Sequence, residues 1–128
     1  ETGQETPVTL KRAIQDIEKA VGKGNVGINL DPANLIMYGK ANPVDALEVF
    51  GEYVMGIHGK DGKYPTDGHH LGDEVPLGQG KVNYSAFIAK LKEIGYQGDI
   101  TIEREISGEE QKKDIRMAKE LLDKLIAE

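Results

Sequence analysis

Three short segments of the chain end alike, and that shared ending narrows the possible folds more than any other feature. In Tyr53-Val54-Met55-Gly56-Ile57-His58, Tyr53, Met55 and Ile57 fall on one side of an extended backbone, and Val54, Gly56 and His58 on the other. Val26, Ile28 and Leu30 likewise share a face in a segment that closes on Asp31. Ile100 and Ile102 share one in a segment that closes on Glu103. Bulky residues on one face suit covering helices, while small residues and a terminal polar group on the other suit the inside of a barrel. Parallel-sheet enzymes carry their chemistry at the carboxyl ends of such strands. Core packing alone gives no reason for Asp, His and Glu to end three strands with one parity.

Helical signals alternate with these strands. Thr6 caps a helix opening at Pro7, and Leu10, Ala13, Ile14, Ile17, Ala20 and Val21 recur at helical spacing until Gly22 and Gly24. Residues 32–41 read as a loop or short helix. Asn42-Pro43-Val44-Asp45 supplies a cap, a first-position proline and a first-turn acid for a helix reaching about Phe50. A stripe of Phe87, Ile88, Leu91 and Ile94 marks a helix from about Tyr84, closed by Gly95. Ser107-Gly108-Glu109-Glu110 has capping-box spacing and opens a last helix burying Ile115, Ala118, Leu121, Leu122 and Leu125. Residues 59–81 are glycine-rich and charged, with Pro65 and Pro76 and no periodicity, and read as a functional loop or lid.

Alternating helices and strands imply parallel strands joined by right-handed crossovers. The expected fold class is α/β, the C-terminal half of a (β/α)8 TIM barrel with about three parallel strands and four helices. A complete barrel needs ~250 residues, and the chain has 128, so residues 1–128 read as a single partial domain. Twenty-two acidic against 16 basic residues give a net charge of −6, which argues against a nucleic-acid surface. The absence of cysteine removes disulfide and thiolate chemistry and suits a reducing cytoplasm, the expected location. No apolar run approaches the ~20 residues of a membrane span, so neither nucleic acid nor membrane is an expected partner.

On these residues the chain resembles the xylose-isomerase-like barrels, a family of sugar and sugar-phosphate isomerases and epimerases with endonuclease IV as a more distant relative. The resemblance covers essentially the whole chain, as the last three βα units and the tip of the strand before them. It rests on E-T-G-Q-E-T at Glu1, N-L-D-P-A-N at Asp31, I-H-G-K-D at His58, T-I-E-R-E at Glu103 and the G-x-G within Pro76-Leu77-Gly78-Gln79-Gly80. Family members hold one divalent metal with Glu, Asp, His and Glu from four consecutive strand ends. The resemblance therefore implies Glu1, Asp31, His58 and Glu103 as metal ligands. Three oxygens and one imidazole suit Mn²⁺, Mg²⁺, Co²⁺ or Zn²⁺. It further implies that Glu1 and Glu103 are catalytic, one removing a proton and the other returning one through an enediolate, which gives epimerisation or isomerisation.

Taken singly, Asp31 also reads as a helix or turn cap, and His58 as a satisfied structural histidine. Order and parity together favour the metal site. Lys60 shares the parity of His58 and reads as a contact to a substrate phosphate or hydroxyl, or as a solvated lysine. Asp61 reads as the residue that orders the long loop, and Glu105 as a surface carboxylate or a substrate contact. Asn34 stands where family epimerases place a substrate-binding polar residue. His69 and His70 read as loop residues, with a substrate contact for His69 as the second reading. Asp67-Gly68-His69 has the spacing of a pair that endonuclease IV uses for an additional zinc. That enzyme also needs a His three residues after the strand-end Asp, where this chain has Asn34.

The reading that follows is a metal-dependent sugar or sugar-phosphate isomerase or epimerase, with a small-molecule sugar or sugar phosphate as partner. The alternatives are a metal phosphodiesterase resembling AP endonucleases and a non-catalytic half-barrel interaction module. Half a barrel leaves two strand edges without partners, so the expected associate is a second copy or the missing N-terminal half-barrel. Glu1, with no strand before it to fix its carboxylate and a free α-amino group beside it, is expected to be loosely held.

Overall fold

The computed structural model describes all residues, Glu1–Glu128. Three of its helices begin in one way, with a polar cap and then proline, whose missing N–H would be unpaired at a helix start in any case. In α1 (Pro7–Val21) the Thr6 hydroxyl accepts from Thr9 N at 3.3 Å. In α2 (Pro32–Met37) the Asp31 carboxylate accepts from Asn34 N at 3.0 Å, and in α3 (Pro43–Phe50) Asn42 Oδ1 accepts from Val44 N at 2.9 Å. α4 (Tyr84–Glu93) is capped by Asn83, whose Oδ1 accepts from Ala86 N at 3.1 Å. α5 (Glu109–Ala127) departs from expectation. Gly108, at φ +86°, takes the capping position and offers no side chain, so the Ser107 capping box does not form. Glu109 and Glu110 still face the positive end of the helix dipole.

The main sheet consists of β1 (Ile28–Leu30), β2 (Val54–Gly59) and β5 (Ile100–Ile102), all parallel in the order β1-β2-β5. Spatial order follows chain order with no reversal, as in consecutive staves of a (β/α)8 barrel and unlike a doubly wound sheet. Three parallel strands with their helices thus form half of a TIM barrel. The helices number five rather than four, because Asp31 and Pro32 start α2 where a loop was the other reading. The strands are also shorter than alternation suggests. Tyr53 belongs to a 3₁₀ turn, and the β1–β2 register shifts between Ile28 and Asn29. Met55, expected under a helix, is 71% exposed and lies across Gly27, where a Cβ would collide with its thioether.

The core lies between this sheet and its helices. Ile28, Leu30 and Ile57 from the strands meet Leu35, Ile36, Leu47, Phe50 and Phe87 from α2, α3 and α4, all fully or almost fully buried. No helix is long and apolar enough to cross a membrane.

Residues 59–81 carry the short antiparallel pair β3 (Asp61–Gly62) and β4 (Glu74–Val75). Asp61 orders this segment. Its Oδ1 accepts from Gly62 N and Val82 N, and its Oδ2 from Gly78 N and Gly80 N, at 2.8–3.1 Å. Gly80 is required here, since a Cβ would come within 2.1 Å of Asp61 Oδ1 and 2.6 Å of Gly62 O. Asp61→Ala would leave those four amides without their acceptor, a loss of roughly 3 kcal/mol in urea unfolding. Amide exchange at Gly78, Gly80 and Val82 should accelerate together. Unchanged protection at those amides would show that Asp61 does not hold the segment.

Candidate metal centre

Each strand end delivers one polar side chain to a common point. Leu30 pairs with Ile57, so Asp31 emerges beside His58, while Gly59 pairs with Ile102, so Glu103 emerges beside Lys60, two residues beyond Thr101, the partner of His58. Asp31 is fully buried and divides its carboxylate: Oδ1 caps α2, while Oδ2 lies 3.4 Å from His58 Nδ1 and has no hydrogen-bond partner. The other imidazole nitrogen, Nε2, lies 3.1 Å from the Asn29 amide, which orients the ring. Glu103 Oε2 approaches His58 Nδ1 to 3.6 Å, as does Glu1 Oε1.

Glu1 is held more firmly than its place in the sequence suggests. Thr2 pairs with β1 as the tip of a further stave would. Its N–H donates to Asn29 O at 3.1 Å, and its hydroxyl accepts from Asp31 N and donates to Asp31 O at 2.8 and 2.9 Å. Asn34 Nδ2 then donates to Thr2 O at 3.1 Å and to Glu1 Oε1 at 3.2 Å. The carboxylate expected to be loose is therefore fixed through the backbone of its neighbour and the first turn of α2.

One ligand atom from each of Glu1, Asp31, His58 and Glu103 lies within 4.8 Å of all the others. Asp31 Oδ2 and His58 Nδ1 are the two buried side-chain atoms without a partner, and they face each other inside this group. Leaving such an atom unpaired costs about 1–3 kcal/mol. Three carboxylates and an imidazole form an oxygen-rich, borderline-hard donor set that fits Mn²⁺, Mg²⁺, Co²⁺ or Zn²⁺.

Lys60 behaves as neither a solvated lysine nor a free arm. It is 2% exposed, and its Nζ lies 2.9 Å from Glu103 Oε2, 3.1 Å from Glu105 Oε1 and 3.7 Å from Asp31 Oδ2. Its peptide is clamped by the buried Tyr84 hydroxyl, which accepts from Lys60 N at 2.9 Å and donates to Lys60 O at 2.6 Å. Behind it, Arg104 joins Glu74 to the buried Asp114. Burial alone would lower the Lys60 ammonium, but its bonds to Glu103 and Glu105 and the Asp31 charge outweigh this and raise it. Burial likewise pushes the Asp31 carboxyl up, against the pull of the Asn34 N–H, Lys60 and His58.

The remaining candidates are arranged differently. Asn34 serves Glu1, Thr2 and Asp31 as described. His69 contributes only its backbone N–H, to Asp67 Oδ1, while the exposed His70 ring sits 2.9 Å from Asp67 Oδ2. Glu105 is exposed, with one oxygen on Lys60 and its N–H on Glu74. An open pocket of about 350 Å³ beside Glu1 is lined by Gln4, Asn34 and Tyr38 among others. Sequence reasoning passed over Asn29, Tyr84, Arg104 and Asp114. Asn29 shares the parity of Asp31, and Asp114 shares the stripe of Ala118, Leu122 and Leu125, so both carried a signal.

A family model described as the xylose isomerase-like TIM barrel matches residues 1–125. The chain belongs to that family. It is 44% identical to a xylose isomerase domain protein from Planctomyces limnophilus of known structure, with a TM-score of 0.86 over 97% of this chain and 44% of that one. A D-tagatose 3-epimerase-like protein is 27% identical, with a TM-score of 0.60 over 95% of this chain and 41% of that one. An uncharacterised protein of Methanocaldococcus jannaschii is 32% identical over 99 residues, 77% of this chain and 31% of that protein. The chain thus spans less than half the length of these relatives.

The raised Lys60 pKa fixes a pH dependence. Its stabilising contribution is fully present below the ordinary lysine value of 10.5 and is lost as pH rises through the folded-state value. In EDTA-treated protein, the stability lost on Lys60→Met, measured by urea unfolding, should therefore be equal at pH 8 and pH 9.5 and shrink only in more alkaline buffer. A loss that shrinks between pH 8 and pH 9.5 would show that the ammonium is not held by these carboxylates.

Proposed function

We propose that Glu1, Asp31, His58 and Glu103 hold one divalent cation and that the intact protein is a metal-dependent isomerase or epimerase of a sugar or sugar phosphate. The observation that carries this reading is the facing pair of unpartnered buried atoms, Asp31 Oδ2 and His58 Nδ1, with a glutamate oxygen from either side in reach. When bound, the cation supplies Lewis acidity that makes a hydrogen beside a substrate carbonyl easier to remove.

The chain's own residues account for the proton movements. Glu1 uses Oε1 and Glu103 uses Oε2 for their bonds to Asn34 and Lys60 and their approach to His58. Each then has a second carboxylate oxygen without a protein partner. That oxygen of one glutamate takes a proton from the reacting carbon, and its counterpart on the other returns one. Return to the same carbon from the opposite face inverts it, which is epimerisation; return to the adjacent carbon is isomerisation. Asp31, buried and tied to α2, does not share this work. Its role is to bind. The polar pocket beside Glu1 offers Gln4, Asn34 and Tyr38 to hydroxyl groups.

Similarity to a D-tagatose 3-epimerase-like protein supports a sugar as substrate. Two features of the site count against the phosphodiesterase reading. Asn34, standing where an additional zinc would need His, is engaged with Glu1, and the Asp67 carboxylate engages the ring of His70 rather than His69. The outer strands β1 and β5 are where the remaining staves, or a second copy, would pair.

The test is deuterium uptake from D₂O by a panel of ketoses and ketose phosphates, followed by NMR with full-length protein and Mn²⁺. Uptake beside the carbonyl is expected, falling about 10²–10⁴-fold in rate with Glu103→Gln, while Mn²⁺ binding weakens far less. No uptake across the panel, together with cleavage of abasic-site DNA, would replace this reading with the phosphodiesterase.

A further inference from the structure

The candidate metal cage already contains a positive charge. Lys60 Nζ touches Glu103 Oε2 and stands 3.7 Å from Asp31 Oδ2, the oxygens through which both residues approach His58. Glu105 at 3.1 Å and Glu74 at 3.9 Å complete a surround of four carboxylates. The neighbouring guanidinium of Arg104 is committed to Glu74 and Asp114, so the ammonium is the cation that serves Asp31 and Glu103. It has little freedom to leave. Tyr84 bonds its peptide on both sides, and the next residue, Asp61, is fixed by four backbone amides. A lysine built to meet substrate would end in open space, whereas this one ends among carboxylates, 2% exposed.

We propose that Lys60 is a positioning residue that acts as a resident counter-cation, holding Asp31 and Glu103 together in the metal-free protein and weakening the cage's hold on a divalent ion. This rests on the metal site proposed above. Two cations that share the same oxygens repel each other, and that repulsion is strong where water is excluded. Lys60 therefore keeps the empty cage from flying apart and keeps the bound ion exchangeable. The opposite view, in which Lys60 merely shapes the ligands, makes the opposite prediction for affinity.

Lys60→Met retains the length and apolar stem of the side chain and removes its charge. In full-length protein, calorimetric titration with Mn²⁺ should show Kd falling at least tenfold. The same variant after EDTA treatment should melt earlier than wild type, and Mn²⁺ should restore more of its Tm than it adds to wild type. Equal or weaker Mn²⁺ binding by the variant overturns the proposal. So does an unchanged Kd with a raised KM for sugar, which would make Lys60 a substrate contact. If wild type itself binds no Mn²⁺, Co²⁺ or Zn²⁺, the metal reading falls and this inference with it. Should the variant not fold, wild-type protein labelled with ¹⁵N-lysine decides. The Lys60 ammonium should give a slowly exchanging signal that shifts on saturation with Mg²⁺, and a signal indifferent to Mg²⁺ overturns the proposal.

Discussion

Asp31 uses its two carboxylate oxygens for different purposes, and the site is built on that division. Oδ1 accepts from Asn34 N and starts α2; Oδ2 is left buried and unpaired before His58. The helix that Oδ1 starts puts Asn34 where its amide holds Glu1 and Thr2. One residue thus faces His58 directly and positions Glu1 through a turn of helix. Cap and ligand looked like competing accounts of Asp31 from sequence. In the fold Oδ1 makes the cap and Oδ2 is left free for the proposed cation.

The second constraint is register. Parallel pairing sets Leu30 beside Ile57, so Asp31 comes level with His58, and Gly59 beside Ile102, so Glu103 comes level with Lys60. Concentrating acids there is unfavourable without compensation, because burial raises the Asp31 carboxyl and like charges repel. Lys60 supplies the compensation from within, and Arg104 extends it outward through Glu74 and Asp114. Tyr84 and Asp61 keep the backbone that carries Lys60 in place.

The parity of three strand ends, visible in the sequence, was enough to place Asp31, His58 and Glu103 together and to read a barrel. Cap-and-proline pairs at Thr6-Pro7 and Asn42-Pro43 gave two helix starts for the same reason: their chemistry is local. What escaped was non-local. Whether a lysine is solvated depends on which carboxylates surround it, and Glu74 and Glu105 reach Lys60 only through the folded loop and the turn after β5. Tyr84 read only as the start of a helix, and its hydroxyl has meaning only against the Lys60 peptide. Asp114 sat on the buried stripe of the last helix, but its partner Arg104 lies beyond the turn before that helix. Met55 escaped for the converse reason, since alternation assumes a covering helix that is not there at the start of β2.

The central claim is that four side chains from successive strand ends share one divalent cation. Anomalous diffraction at the manganese edge, from crystals of the full-length protein grown with Mn²⁺, tests it directly. A single peak roughly 2.0–2.6 Å from ligand atoms of Glu1, Asp31, His58 and Glu103 is the predicted result. A peak at Asp67 and His70 instead, or no peak among these four side chains at saturating Mn²⁺, would contradict the account.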